Sequence, residues 1–123
     1  MASLAALAIA GAALSACGLP IGPGNCTPKG GSSEAGTTTV KVVSDPQASG
    51  AYQPKAVTVQ SGQSVTWSWE DQGNQHSVTA DDGSFDSCLH GNGYSFTVSF
   101  AKPGTYSYKC SIHPQMTGRI TVT

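Results

Sequence analysis

Charge is scarce in this chain: six basic and seven acidic side chains in 123 residues, a formal net charge of −1. No basic patch is present to follow a phosphate backbone, which excludes nucleic acid as a partner. Long apolar runs are missing as well. The Ala-rich stretch from Leu4 to Leu14 is too short to span a bilayer permanently. No segment carries the period of a long amphipathic helix, and no internal repeat is visible. Nucleophile-elbow and paired-carboxylate patterns are absent too, so the chain does not read as an enzyme. Methionine is nearly lacking, and Met116 is the sole one after the initiator.

Gly, Ser, Thr and short β-branched or aromatic runs remain, and they divide the chain into three parts. Residues 1–16 read as a signal peptide ending in Leu14-Ser15-Ala16, and Cys17 follows. This junction resembles the bacterial lipoprotein signal, in which the cysteine becomes the lipidated first residue. The resemblance implies an exported protein, periplasmic or on the outer side of the cytoplasmic membrane, anchored by a lipid on Cys17. Residues 17–36 are Gly, Pro, Ser and Thr with little to bury, and read as a flexible tether. Residues 37–123 form the folded domain, long enough for one all-β core and no second domain.

Within it, strands are expected over 38–43, 56–60, 64–69, 77–80, 94–100, 106–110 and 119–122. They are separated by Asp45-Pro46, Ser61-Gly62, Asp82-Gly83 and Lys102-Pro103-Gly104. Alternation puts Val65, Trp67 and Trp69 on one face of their strand, and Phe96, Val98 and Phe100 on one face of theirs. Two such faces meeting make the core of a β-sandwich. A hairpin through Lys102-Pro103-Gly104 would set Cys110 opposite about position 95 and bring Cys88, Leu89 and His90 to the same end.

The chemistry concentrates in Cys110-Ser-Ile-His113-Pro-Gln-Met116, just after the alternating run Thr105-Tyr-Ser-Tyr-Lys109. A thiolate, an imidazole and a thioether on one short loop are soft and borderline donors that suit copper. Cys with two His and a weak axial Met is the donor set of a blue-copper electron-transfer centre. One further histidine is needed, and His76 is the candidate. Pro114 biases His113 toward extended dihedrals and stiffens the loop.

Residues 37–123 resemble a cupredoxin, and the spacing Cys110-x-x-His113-x-x-Met116 resembles the short ligand loop of amicyanin. Gly104-Thr-Tyr before the cysteine and Gly118-Arg-Ile-Thr-Val at the end extend the likeness over the whole folded part. The resemblance implies a Greek-key β-sandwich binding one Cu(I)/Cu(II) ion through His76, Cys110, His113 and Met116. It implies single-electron transfer between redox partner proteins by a monomer, with no catalytic residues. An extracytoplasmic copper carrier or storage protein would use the same ligands and is the alternative. A metal-free adhesive sandwich is a further one.

The family usually has Asn after the first histidine, tying the two ligand loops together, and this chain has Ser77. With Cys17 lipidated and Cys110 on copper, Cys26 and Cys88 are left, and the sequence leaves open whether they form a disulfide. Leu89 is either part of the apolar docking rim or an ordinary loop leucine. His90 reads as a surface histidine near the electron port, with a second metal site beside Cys88 as the alternative. Glu70, Asp71, Asp81, Asp82 and Asp86 flank His76 as solvated turn residues, or as an acidic edge steering a cationic partner.

Overall fold

The computed structural model describes residues 25–123. The signal peptide expected at residues 1–16, and Cys17, lie outside the described residues. Eight strands follow in order: β1 Thr38–Asp45, β2 Ala48–Gln53, β3 Ala56–Val59, β4 Ser64–Trp69, β5 Thr79–Ala80, β6 Ser95–Ser99, β7 Gly104–Lys109 and β8 Thr117–Val122. They make two four-stranded sheets, β2-β1-β4-β6 and β3-β8-β7-β5, and no helix occurs among the described residues. The fold is the all-β two-sheet sandwich that the alternating runs call for and the cupredoxin resemblance implies.

Pairing follows that alternation. Antiparallel β4 and β6 set Val65 opposite Val98 and Trp67 opposite Phe96, all buried. On the other face, hydroxyl pairs Ser64–Ser99 and Thr66–Thr97 bond at 2.7 Å each. Strand β1 runs parallel to β4 and adds Val40 and Val42, both fully buried. From the second sheet come Tyr108, Ile120 and Val122. Trp67 is the hub, with ring centroids of Tyr108 at 5.3 Å, Phe85 at 5.7 Å and Phe96 at 6.4 Å.

Three expectations are corrected. First, β6 and β7 are not a hairpin. β6 pairs with β4 and β7 with β8 and β5, so Lys102-Pro103-Gly104 is the crossing between sheets. Aromatic faces on both strands drive this, because Phe96 and Tyr108 can both reach Trp67 only from opposite layers. Cys88 and His90 reach the ligand end by a different route, since His76 and His90 exchange both backbone hydrogen bonds at 3.0 Å. Second, β2 was not expected. Ala48-Ser-Gly-Ala-Tyr-Gln has no β-branched residue, and it is a strand because β1 supplies a partner along its edge.

Third, the part of the tether that is described is not free. Cys26 is disulfide-bonded to Cys88 across 62 residues. Lys29 and Asp86 exchange backbone bonds at 2.9 and 3.0 Å, and Ser32 N–H donates to Thr97 O at 2.7 Å. Gly31 lies against the Phe96 ring, where a Cβ would come within 3.1 Å. A covalent link and main-chain bonds hold residues 25–36 where apolar burial could not.

Candidate metal centre

Both ligand-bearing segments sit at one end of the sandwich. His76 lies between β4 and β5, while Cys110, His113 and Met116 fill the turn from β7 into β8. That turn is closed by its own backbone: Cys110 N–H donates to Met116 O at 3.0 Å, and Met116 N–H to His113 O at 2.9 Å. A three-residue step between ligands therefore folds back on itself, so donors spaced along the sequence point one way.

His76 Nδ1 and His113 Nδ1 are 3.2 Å apart, and Cys110 Sγ is 3.5 Å from His113 Nδ1. All three residues offer donor atoms within 4.8 Å of one another. Metal bonds to imidazole and thiolate run about 2.0–2.3 Å, so donors this far apart can share one ion. His76 and Cys110 are fully buried and Met116 nearly so. Gly50 explains how Met116 reaches this end: a Cβ there would lie 3.0 Å from Met116 Sδ and 2.9 Å from His76 Nε2. Only a glycine on β2 lets the backbone pass over both. The set of two nitrogens, a thiolate and a thioether fits one copper ion.

What surrounds His76 fixes it. Its Nε2 is 2.6 Å from Asp71 Oδ2, both groups buried, and its Nδ1 is left facing His113 Nδ1. Asp71 Oδ1 accepts the N–H groups of Gly73 and Asn74 at 2.8 and 3.2 Å. The hydrogen bond from His76 holds the Asp71 carboxyl below the usual carboxylate range, against its burial. Such an outer partner orients the ligand and raises its basicity. The His76 carbonyl accepts the Trp69 indole N–H at 2.8 Å. Sequence reasoning missed Asp71 as a partner of His76, because Asp-x-Gly reads as a turn. It is one, through one oxygen, while the other holds the histidine.

Ser77 carries the tie between loops that Asn provides elsewhere. Its Oγ accepts the Ser111 N–H at 2.8 Å and lies 3.1 Å from Ser111 Oγ and 2.8 Å from Thr79 Oγ1. Its backbone N–H points at Cys110 Sγ at 3.4 Å. Its carbonyl accepts the Tyr52 hydroxyl at 2.5 Å. Burial, then the neighbouring Cys110, push the Tyr52 hydroxyl pKa up, so it stays a donor.

His113 differs. It is half-exposed, and Ile112 beside it is 51% exposed, the one large apolar side chain so presented among the described residues. Desolvation, then the nearby His76, push the His113 imidazole below its ordinary pKa, which favours the neutral form that donates a lone pair. A cavity of about 240 Å³ opens next to it between Gly50 and Met116.

The other candidates resolve into structural roles. His90 donates from Nε2 to Ser87 O at 2.7 Å and stacks on Tyr94, and Cys88 is in its disulfide, so the two make no second thiolate site. Leu89 is half-exposed in a cleft it shares with Ile112. Asp82 accepts Ser84 N–H, Asp86 accepts Cys88 N–H, and Glu70 faces Lys41 at 3.8 Å. With Asp71 buried, the acids flanking His76 are mostly engaged by the fold.

The family model for the cupredoxin-like domain matches residues 4–122. A chloroplastic plastocyanin from Physcomitrium patens is 34% identical over 102 residues, covering 72% of this chain and 60% of the relative, so this chain spans less than two thirds of that protein. Amicyanin-alpha of Methylorubrum extorquens is 30% identical over 93 residues, covering 72% and 73%. Among solved structures, a purple cupredoxin from Nitrosopumilus maritimus superposes with a TM-score of 0.61 at 26% identity, over 70% of this chain and 99% of that one. Taken with the two-sheet sandwich and the Cys, His and Met donors gathered at one end, these matches place the chain in the cupredoxin family.

Proposed function

We propose that His76, Cys110, His113 and Met116 hold one copper ion and that the protein passes single electrons between redox partner proteins outside the cytoplasmic membrane. The observation that carries this reading is the convergence of two imidazole nitrogens and a thiolate within 4.8 Å, with a buried Met beside them. Copper supplies the one-electron Cu(I)/Cu(II) couple. The protein supplies a ligand cage fastened before metal arrives, by Asp71 on His76, Ser77 on Ser111 and Tyr52 on Ser77. A cage that changes little between oxidation states keeps reorganisation small. Half-exposed His113 gives the partner its contact.

The same fastening speaks against the copper-courier alternative, since delivery calls for ligands that can let go. Four side chains around the ion also leave no position for a substrate, so we read the protein as a carrier and not an enzyme. The disulfide supports an oxidising compartment. The signal at 1–16 and a lipid on Cys17 complete the proposal as the route outward and the membrane anchor.

Adding Cu(II) to the metal-free protein should produce an intense visible thiolate-to-copper band that is absent in Cys110→Ser. A colourless loaded protein would overturn the reading. Rapid loss of the copper to an excess of chelator would favour the courier instead.

A further inference from the structure

The three rings of Trp69, His90 and Tyr94 pack together next to His76. The His90 and Tyr94 rings stack with centroids 3.4 Å apart and planes 13° from parallel, and both are half-exposed. Trp69 is buried and meets both edge-on, at 5.1 Å from Tyr94 and 6.0 Å from His90. Its indole N–H then donates to the His76 carbonyl at 2.8 Å. His90 is joined to His76 a second time, through both backbone bonds of their bridge. Surface and candidate ligand are thus linked without a break.

Core packing explains why Trp69 is buried. The buried indole N–H needs an acceptor, and the acceptor it finds is the main chain of a candidate ligand, while beside it a half-exposed histidine is held flat on a half-exposed tyrosine. Ser87 O fixes that histidine through Nε2 at 2.7 Å. The surface beside the stack is Gly91-Asn92-Gly93, bare of charge. A Cβ at either glycine would meet nothing within 4 Å, so a partner can come close to the backbone there.

We propose that Trp69, His90 and Tyr94 form a second electron path, running from the uncharged face at 91–93 and entering the centre through His76 rather than through His113. This rests on the electron-transfer reading above. In the step, one electron leaves a reduced partner docked at this face and Cu(II) becomes Cu(I), or the reverse. No bond forms or breaks, no proton moves, and the rings bridge the transfer without being oxidised. The face fits a partner that docks through an uncharged surface, so its association should depend little on salt.

The test uses the full, copper-loaded chain with a ruthenium polypyridyl coupled to an azide-bearing aliphatic residue at position 92, or at position 115 as the control. A flash lets the excited complex give one electron to Cu(II), leaving Ru(III) and Cu(I), and bleaching of the visible band reports the rate. Tyr94→Leu should slow transfer from position 92 about tenfold, equivalent to about 1.4 kcal/mol of barrier. It should leave transfer from position 115, the visible band and the midpoint potential unchanged. Trp69→Phe should slow the position-92 route further. In the metal-free protein, NMR should show the Trp69 indole N–H protected from exchange, as its bond to His76 requires. Equal rates from position 92 with and without Tyr94, or a freely exchanging indole, would overturn the path while leaving the blue-copper reading intact. A protein with no visible band would remove both.

Discussion

The two histidines of the centre are built differently. His76 is fully buried and held by Asp71 on its ring, Trp69 on its carbonyl and His90 on its backbone. His113 is half-exposed and takes its position from a tight turn, with Pro114 behind it. One is a post and the other a contact. On the proposed electron-transfer function both are needed, because an edge must reach the surface while the rest of the cage stays still. The asymmetry puts burial and fastening on the His76 side and exposure on the His113 side.

Replacing Cys26 and Cys88 together by Ser should have the largest effect on the His76 side. The bridge closes a loop of 62 residues, which on chain-entropy grounds contributes about 4 kcal/mol. Urea unfolding should show a loss of that order. The visible band should keep its position, because no bond to the candidate ligands passes through the sulfur bridge. Loss of copper in the same variant would mean that the N-terminal arm belongs to the centre.

Asp71→Ala comes next. It leaves His76 Nε2 buried without a partner, and removal of such an outer partner typically costs about 10–100-fold in metal affinity. Competition with a chelator should read this directly. Asp71→Asn, which keeps a hydrogen-bonding oxygen and drops the charge, should fall between Ala and the parent. Gln115→Ala, on the exposed side, should leave affinity unchanged. Equal losses at 71 and 115 would dissolve the contrast between the two sides.

The sequence exposed the His113 side far better than the His76 side. Cys110, His113 and Met116 share one loop, and their types and spacing carry the chemistry without reference to anything distant. The buried faces of β4 and β6 were legible for the same reason, since alternation is local. What stayed hidden depends on contacts between remote segments. β2 is a strand because β1 lies alongside it. β6 and β7 separate because their aromatic faces meet across the core, a choice that turn residues cannot reveal. Asp71 shows its turn in the sequence but not its second oxygen. The arm at 25–36 has no apolar pattern to announce that it is fastened. Gly50 carries no signal at all, since a need for no side chain appears only when His76 and Met116 are seen beneath it.

The smallest effect should come from pH, and it separates the two sides by window. Burial and His76 depress the His113 pKa in the metal-free fold, so the unfolded chain takes up its proton first as pH falls. Between the unfolded value near 6.5 and the lower folded one, the unfolded state binds more protons, and stability declines as pH drops through that interval. Asp71 is depressed from an already low carboxylate value, so its share is lost only in a more acidic range. Thermal unfolding of metal-free protein should therefore show a shallow fall in Tm below neutrality and a separate, more acidic one. His113→Asn should flatten the first and spare the second, whereas Asp71→Asn should do the opposite. A first step that survives His113→Asn would assign it elsewhere and leave the exposed histidine without its distinguishing property.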